Sequence, residues 1–152
     1  MVLNRWVRPA LKSRQVCWHK TPLNDIAMHE AAQSLLGEHD FTSYRALACQ
    51  ARHPVREIQD ISVSREENTL RIDVTANGFL YHMVRNIVGN LLVVGSGARP
   101  ETWIADILEE KDRSLGAATA PAEGLYFVSA RYPSQYRLPI VAADFPNGTD
   151  RS

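Results

Sequence analysis

The amino-acid sequence predicts an α+β domain, one antiparallel sheet with helices covering one face. Three observations predict it. Leu70, Ile72, Val74 and Ala76 alternate strictly with Thr69, Arg71, Asp73 and Thr75, the two-residue period of a half-buried strand. Met28, Ala31, Ala32, Leu35 and Leu36 share one stripe of a 3.6-residue period, and so do Leu80, Met83, Val84, Ile87, Val88 and Leu91. The two kinds of segment are interleaved along the chain, as a sheet covered by helices requires.

Taken in order, Val16 and Trp18 alternate with polar neighbours in the segment Arg14 to Lys20, which reads as a strand. Thr21-Pro22-Leu23-Asn24 breaks it and offers Asn24 as a helix cap, with Asp25 in the first turn and Gly37 as the C-terminal cap. His39 to Pro54 reads as irregular. Val55 to Val63 is a strand whose imperfect alternation a bulge would explain, and Arg65-Glu66-Glu67-Asn68 turns it into the strand that ends at Ala76. The long apolar helix follows Asn77-Gly78 and stops at Gly95 and Gly97. Pro100 opens an extra helix with Trp103, Ile104, Ile107 and Leu108 inward. A loop from Ala117 to Gly124 leads to a last strand, Leu125 to Tyr132. The order strand-helix-strand-strand-helix-strand, plus one extra helix, is ferredoxin-like. Residues 1–135 are expected to form this domain and 136–152 a loosely ordered tail.

With 45% hydrophobic and 22% charged residues, the chain can bury a core and is not globally disordered. Seventeen basic side chains balance seventeen acidic ones, but unevenly. Residues 1–56 carry eight basic and four acidic side chains, a local +4 that suits an anionic partner. Two cysteines, Cys17 and Cys49, exclude a disulfide scaffold and favour a reducing compartment. The opening residues have no signal-peptide core, and the greasiest stretch, Phe79 to Val94, is too short and too polar to span a bilayer. A cytoplasmic protein without a membrane partner is expected.

Arg85 is the most informative residue. It interrupts an apolar helix on the face shared with Tyr81, Gly89 and Leu92. A guanidinium keeps its proton, so a buried one needs an anion. Two readings stay open: a boundary arginine whose head reaches water, or a functional cation, with Gly89 letting something approach. His82, beside Arg85, Asn86 and Asn90, is either a general base awaiting a partner or a histidine satisfied at a helix edge. Cys49 and His53 match no standard zinc spacing, so no metal is expected. Phosphate-loop, dinucleotide and nucleophile-elbow motifs are absent, and residues 69–76 lack the aromatics of an RNA-recognition motif. Arg45, Arg52 and Arg56 would suit phosphate contacts.

Three separated strings carry a resemblance: GFLYHMVRNIVG (Gly78 to Gly89), LGEHDFTSY (Leu36 to Tyr44) and APAEGLYF (Ala120 to Phe127). In this order, over roughly residues 20 to 135, they resemble the signature of bacterial tRNA pseudouridine synthases of the A type. The resemblance implies isomerisation of uridines in the tRNA anticodon arm, without cofactor or catalytic metal. The target nucleotide is flipped from the stack, an aspartate attacks, the glycosidic bond breaks and the base is rejoined through carbon. That aspartate belongs to an Arg-Thr-Asp-x-Gly-Val-His motif in the family's first domain. No such string occurs here, nor does the tyrosine-bearing motif that follows it. The resemblance therefore covers the C-terminal domain only, and a missing N-terminal catalytic domain is the implied partner, beside tRNA and a second copy in a homodimer. It implies that Arg85 pairs with the absent aspartate. It further implies that Gly124 and Leu125 line the uracil pocket, that Tyr81 and His82 flank the arginine, and that Phe41, Ser43 and Arg45 lie near the tRNA. A non-catalytic RNA-binding or dimerisation module is the alternative.

Overall fold

Asn24 starts the first helix as its residue type requires: its side-chain oxygen accepts from the Ala27 amide at 3.1 Å. The computed structural model describes residues 1–11 and 14–130. Its elements are β1 (Val2–Asn4), β2 (Cys17–His19), α1 (Asp25–Gln33), β3 (Gly37–Asp40), β4 (Val55–Glu66), β5 (Thr69–Ala76), α2 (Met83–Gly95) and α3 (Trp103–Glu110). Short 3₁₀ turns lie at Thr42–Tyr44 and Arg113–Leu115. The fold is α+β and ferredoxin-like, with one five-stranded sheet in the order β2-β1-β5-β4-β3.

The bulge expected in β4 is present. Ile58 pairs with Ala76 and Asp60 with Thr75, so one extra residue lets Ile58, Ile61 and Val63 all face the helices. On that face the core gathers Met28, Ala31, Ala32 and Leu35 with Met83, Ile87 and Leu91 from α2 and Ile104 and Ile107 from α3. Each large side chain buried there contributes about 1.5–3 kcal/mol of transfer free energy. Asp60, Ser64, Arg71 and Thr75, on the alternate positions, are exposed.

Four details depart from the sequence reading. The sheet is mixed, because β1 and β2 run parallel. β1 itself was not anticipated, since Val2-Leu3-Asn4 is too short to show a period. Gly37 is left-handed (φ +92°) as a cap glycine would be, but the helix already ends at Gln33 and Gly37 opens β3, a polar edge strand without an apolar alternation. No strand is assigned to residues 125–130, and 131–132, with the 136–152 tail, lie outside the described residues.

Arg65 ties three elements together, donating to Asp25 Oδ1 at 2.7 Å and to the Leu23 carbonyl at 2.6 Å. This hydrogen bond holds the Asp25 carboxyl below its ordinary range. The folded state thus binds that proton more weakly than the unfolded state, and the pair stabilises the fold above the unfolded pKa, about 4, and not once the carboxyl is protonated. Asp25→Asn is expected to cost under about 1 kcal/mol at neutral pH, because the pair is partly solvated. In urea denaturation the difference from wild type should close as pH falls below about 4; a difference that persisted would assign it to something other than the charge.

Candidate active site

The turn that precedes α2 is where chemistry-bearing side chains converge. His82 has φ 60°, a left-handed conformation uncommon outside glycine, and it swings the chain into the helix without a side-chain cap. This turn starts the helix at Met83, later than the apolar stripe suggested. Arg85 therefore lies in the first turn, not mid-helix, and Tyr81 is not helical. The Tyr81 ring stacks on the His82 imidazole, 4.0 Å between centroids and 25° between planes.

Arg85 is half-buried and held on two sides. Its Nε donates to the Ala120 carbonyl at 2.8 Å, and its Nη1 donates to His82 Nε2 at 3.1 Å. A guanidinium can only donate, so the imidazole nitrogen is the acceptor. Neither partner neutralises the charge. Among the described residues the ion pairs are Arg65–Asp25, Arg71–Asp73 and Lys111–Asp40, and Arg85 belongs to none. The helix dipole is positive at this end, so α2 adds to the field that attracts an anion.

The carbonyl that orients Arg85 is itself pinned to α2. Ala120 donates its amide to the Arg85 carbonyl at 3.1 Å. A Cβ at Gly89 would run into the carbonyl oxygen of Ala118, so the close approach that Gly89 permits is made by the chain's own loop. Asn86 and Asn90, both fully buried, complete the attachment. Asn86 Nδ2 donates to the Tyr44 carbonyl at 2.7 Å, and its Oδ1 accepts from Thr119 and Arg113 at 2.6 and 3.1 Å. Asn90 Oδ1 accepts from the Ala117 amide at 2.6 Å. The two asparagines are thus structural. Ala120 escaped the sequence reading because it acts through a main-chain oxygen, which no residue type advertises.

Four residues on, Gly124 is left-handed (φ +83°) and packs on the backbone of Met1, just before β1, and of Val16 and Cys17 at the start of β2, its carbonyl accepting from the Met1 amino group at 2.7 Å. Leu125 beside it is 51% exposed. Phe41 and Ser43, by contrast, are fully buried. Phe41 meets Tyr44 edge to face, and Ser43 Oγ donates to the Ile107 carbonyl at 2.6 Å. Tyr44 Oη donates likewise to Ile104 at 2.8 Å, and burial pushes its phenol pKa up. Of the 41–45 segment, Arg45 reaches the surface in part.

The Ala46 amide donates to the Tyr81 carbonyl at 3.0 Å, joining that segment to the Arg85 turn. Cys49 lies at the junction. Hydrogen bonds from the Ala51 and then the Tyr81 backbone lower its thiol pKa, and the charges of Arg45 and Arg56 add to the effect. The structure therefore brings Tyr81, His82, Arg85 and Ala120 together, sets Arg45 and Arg56 on the Tyr81 side, and places Phe41 and Ser43 in the core. Among the described residues no group of His, Cys, Asp and Glu could hold a metal ion. No helix among them is long and apolar enough to cross a membrane.

A family model for tRNA pseudouridine synthase matches residues 31–133, and the chain belongs to that family. Among curated proteins it is similar to tRNA pseudouridine synthase A of Xylella fastidiosa (strain M12), 52% identical over 139 residues, covering 91% of this chain and 54% of the relative. The enzyme of the same name from Hydrogenovibrio crunogenus is 49% identical over 144 residues, 95% of this chain and 55% of the relative. That of Escherichia coli O1:K1 / APEC is 51% identical over 139 residues, 91% and 52%. The chain spans about half the length of these relatives.

Proposed function

We propose that this chain is the C-terminal half of a cytoplasmic tRNA pseudouridine synthase, supplying one wall of the uridine pocket. Arg85 reaches from that wall to the catalytic aspartate, which is carried by a domain outside these 152 residues. The guanidinium holds the carboxylate ionised and aimed at the flipped uridine of the anticodon arm. Gly124 and Leu125 border the base, and Tyr81 and His82 flank the arginine. Arg45 meets phosphate, while Phe41 and Ser43 fix the turn that presents it. A second copy completes a homodimer.

One observation supports this reading above the others: a half-buried cation, oriented by a carbonyl and an imidazole, with no anion among the described residues. An arginine that served only the fold could let its head reach water, whereas this one is half-buried and held in one direction by two acceptors that carry no charge. The test is turnover. The 152-residue chain alone, incubated with an unmodified tRNA transcript, is expected to form no pseudouridine, and the same chain joined to an Asp-bearing first domain of the family is expected to form it. Robust turnover by the chain alone would overturn the division of labour.

A further inference from the structure

We infer that a basic, tryptophan-bearing face built by Arg5, Trp6, Arg8, Trp18 and Lys20 is a second RNA contact, gripping phosphates and stacking on an unpaired base of the tRNA outside the uridine pocket. The inference rests on the RNA-acting reading above and adds to it a surface that binds without taking part in the chemistry.

The charge pattern is local. Arg5, Arg8, Lys12, Arg14 and Lys20 fall in a stretch with no Asp or Glu from residue 5 to residue 20, so its net +5 accounts for the whole +4 of residues 1–56. Among the described residues none of Arg5, Arg8 and Lys20 enters an ion pair. These cations are therefore free to release counterions on meeting phosphate.

The aromatic residues are interleaved with the cations in space as well as in sequence. Trp6 is 73% exposed, and the Lys20 ammonium stands 3.8 Å from its ring centroid. The Arg8 guanidinium lies 5.8 Å from the Trp18 ring, while Trp18 Nε1 donates to the Arg5 carbonyl at 2.9 Å. Arg5 Nε donates to the Val7 carbonyl at 3.0 Å. Main chain and cations are thus set at defined positions around two indole rings. Exposed aromatics beside backbone-tracking cations are the recurring means of holding unpaired nucleotides.

The face also borders the loop that orients Arg85. A cleft of about 320 Å³ separates Arg8 and Trp18 from Pro121 and Glu123. Pro121 follows Ala120, whose carbonyl orients Arg85. RNA leaving the uridine pocket along the 120–123 loop would meet this cleft next, with Glu123 as the acidic residue on its rim.

The experiment titrates the 152-residue chain against an unmodified tRNA transcript over a series of salt concentrations, with circular dichroism to check each variant's fold. The triple variant Arg5→Gln, Arg8→Gln, Lys20→Gln is expected to bind about 10-fold or more weakly, with a salt slope shallower by about two to three units. Trp6→Ala should weaken binding about 5-fold or more at an unchanged slope, as loss of a stacked base does. Arg99→Gln, away from this face, should leave both quantities unaltered. If wild type binds and the triple variant matches it, this surface is refuted while the RNA-acting reading stands. If Trp6→Ala is silent and heparin competes equally against wild type and Trp6→Ala, the face is a generic polyanion surface and the inference is wrong. If wild type shows no tRNA binding at low salt, the inference is refuted along with any RNA contact by this chain alone.

Discussion

Arg85→Ala is expected to lower the rate of pseudouridine formation by on the order of 10²–10³-fold in an enzyme that joins this chain to an Asp-bearing first domain of the family, while tRNA affinity changes by about twofold or less. The asymmetry follows from where the side chain is held. Its Nε and Nη1 are committed to Ala120 and His82, which leaves a rigidly aimed charge suited to orienting one carboxylate and poorly suited to tracking a flexible phosphate chain. Single-turnover rates at saturating enzyme separate the two effects, since they remove binding from the comparison. A variant whose affinity collapses while its rate per bound complex holds would show that Arg85 grips RNA. In the isolated chain the same substitution should change stability by about 1 kcal/mol or less, because the half-buried head makes hydrogen bonds that water can replace.

Gly124→Ala is expected to be the most damaging small substitution for the fold. At φ +83° an L side chain costs about 1–2 kcal/mol. The added Cβ would lie 2.7 Å from the Cys17 amide nitrogen and closer still to the Met1 carbonyl oxygen. Both are backbone atoms, so neither can rotate away as a flexible side chain would, and overpacking of this kind adds about 1–3 kcal/mol. A loss of about 3 kcal/mol corresponds to a fall in Tm of about 6–12 °C for a domain of this size. Calorimetry or urea denaturation measures it directly. A Tm within about 1 °C of wild type would mean that the 120–124 loop does not pack on Met1, Val16 and Cys17 as described. Because that loop also carries the Ala120 carbonyl, the variant should lose catalytic rate in the joined enzyme as well.

The parts of the fold that were legible in the sequence are those whose cause is local. Asn24 caps α1 because its own side chain reaches an amide three residues ahead. β5 was readable because one of its faces is core and the other water, and the β4 bulge because Ile58 and Ile61 can share a face only with one residue extra. The elements that were missed have non-local causes. β1 and β3 exist because neighbouring strands supply hydrogen-bond partners, and their own side chains announce little. The start of α2 depends on one left-handed residue, His82, hidden inside an apolar stripe that runs past it. The same division runs through the site. Arg85 was conspicuous because a cation interrupts an apolar stripe, while whether its head reaches water or meets an anion stayed open in the sequence. Phe41 and Ser43, read as near the RNA from the resemblance, are core residues whose burial depends on α3 packing over them.

By itself the sequence determined the class of fold, the family strings and the presence of an arginine interrupting an apolar stripe, since hydrophobic period and residue charge are properties of short segments. Tertiary structure alone decided which way that arginine points. The direction is set by a carbonyl 35 residues away, held by two buried asparagines, and a main-chain oxygen has a position only once the chain around it has folded.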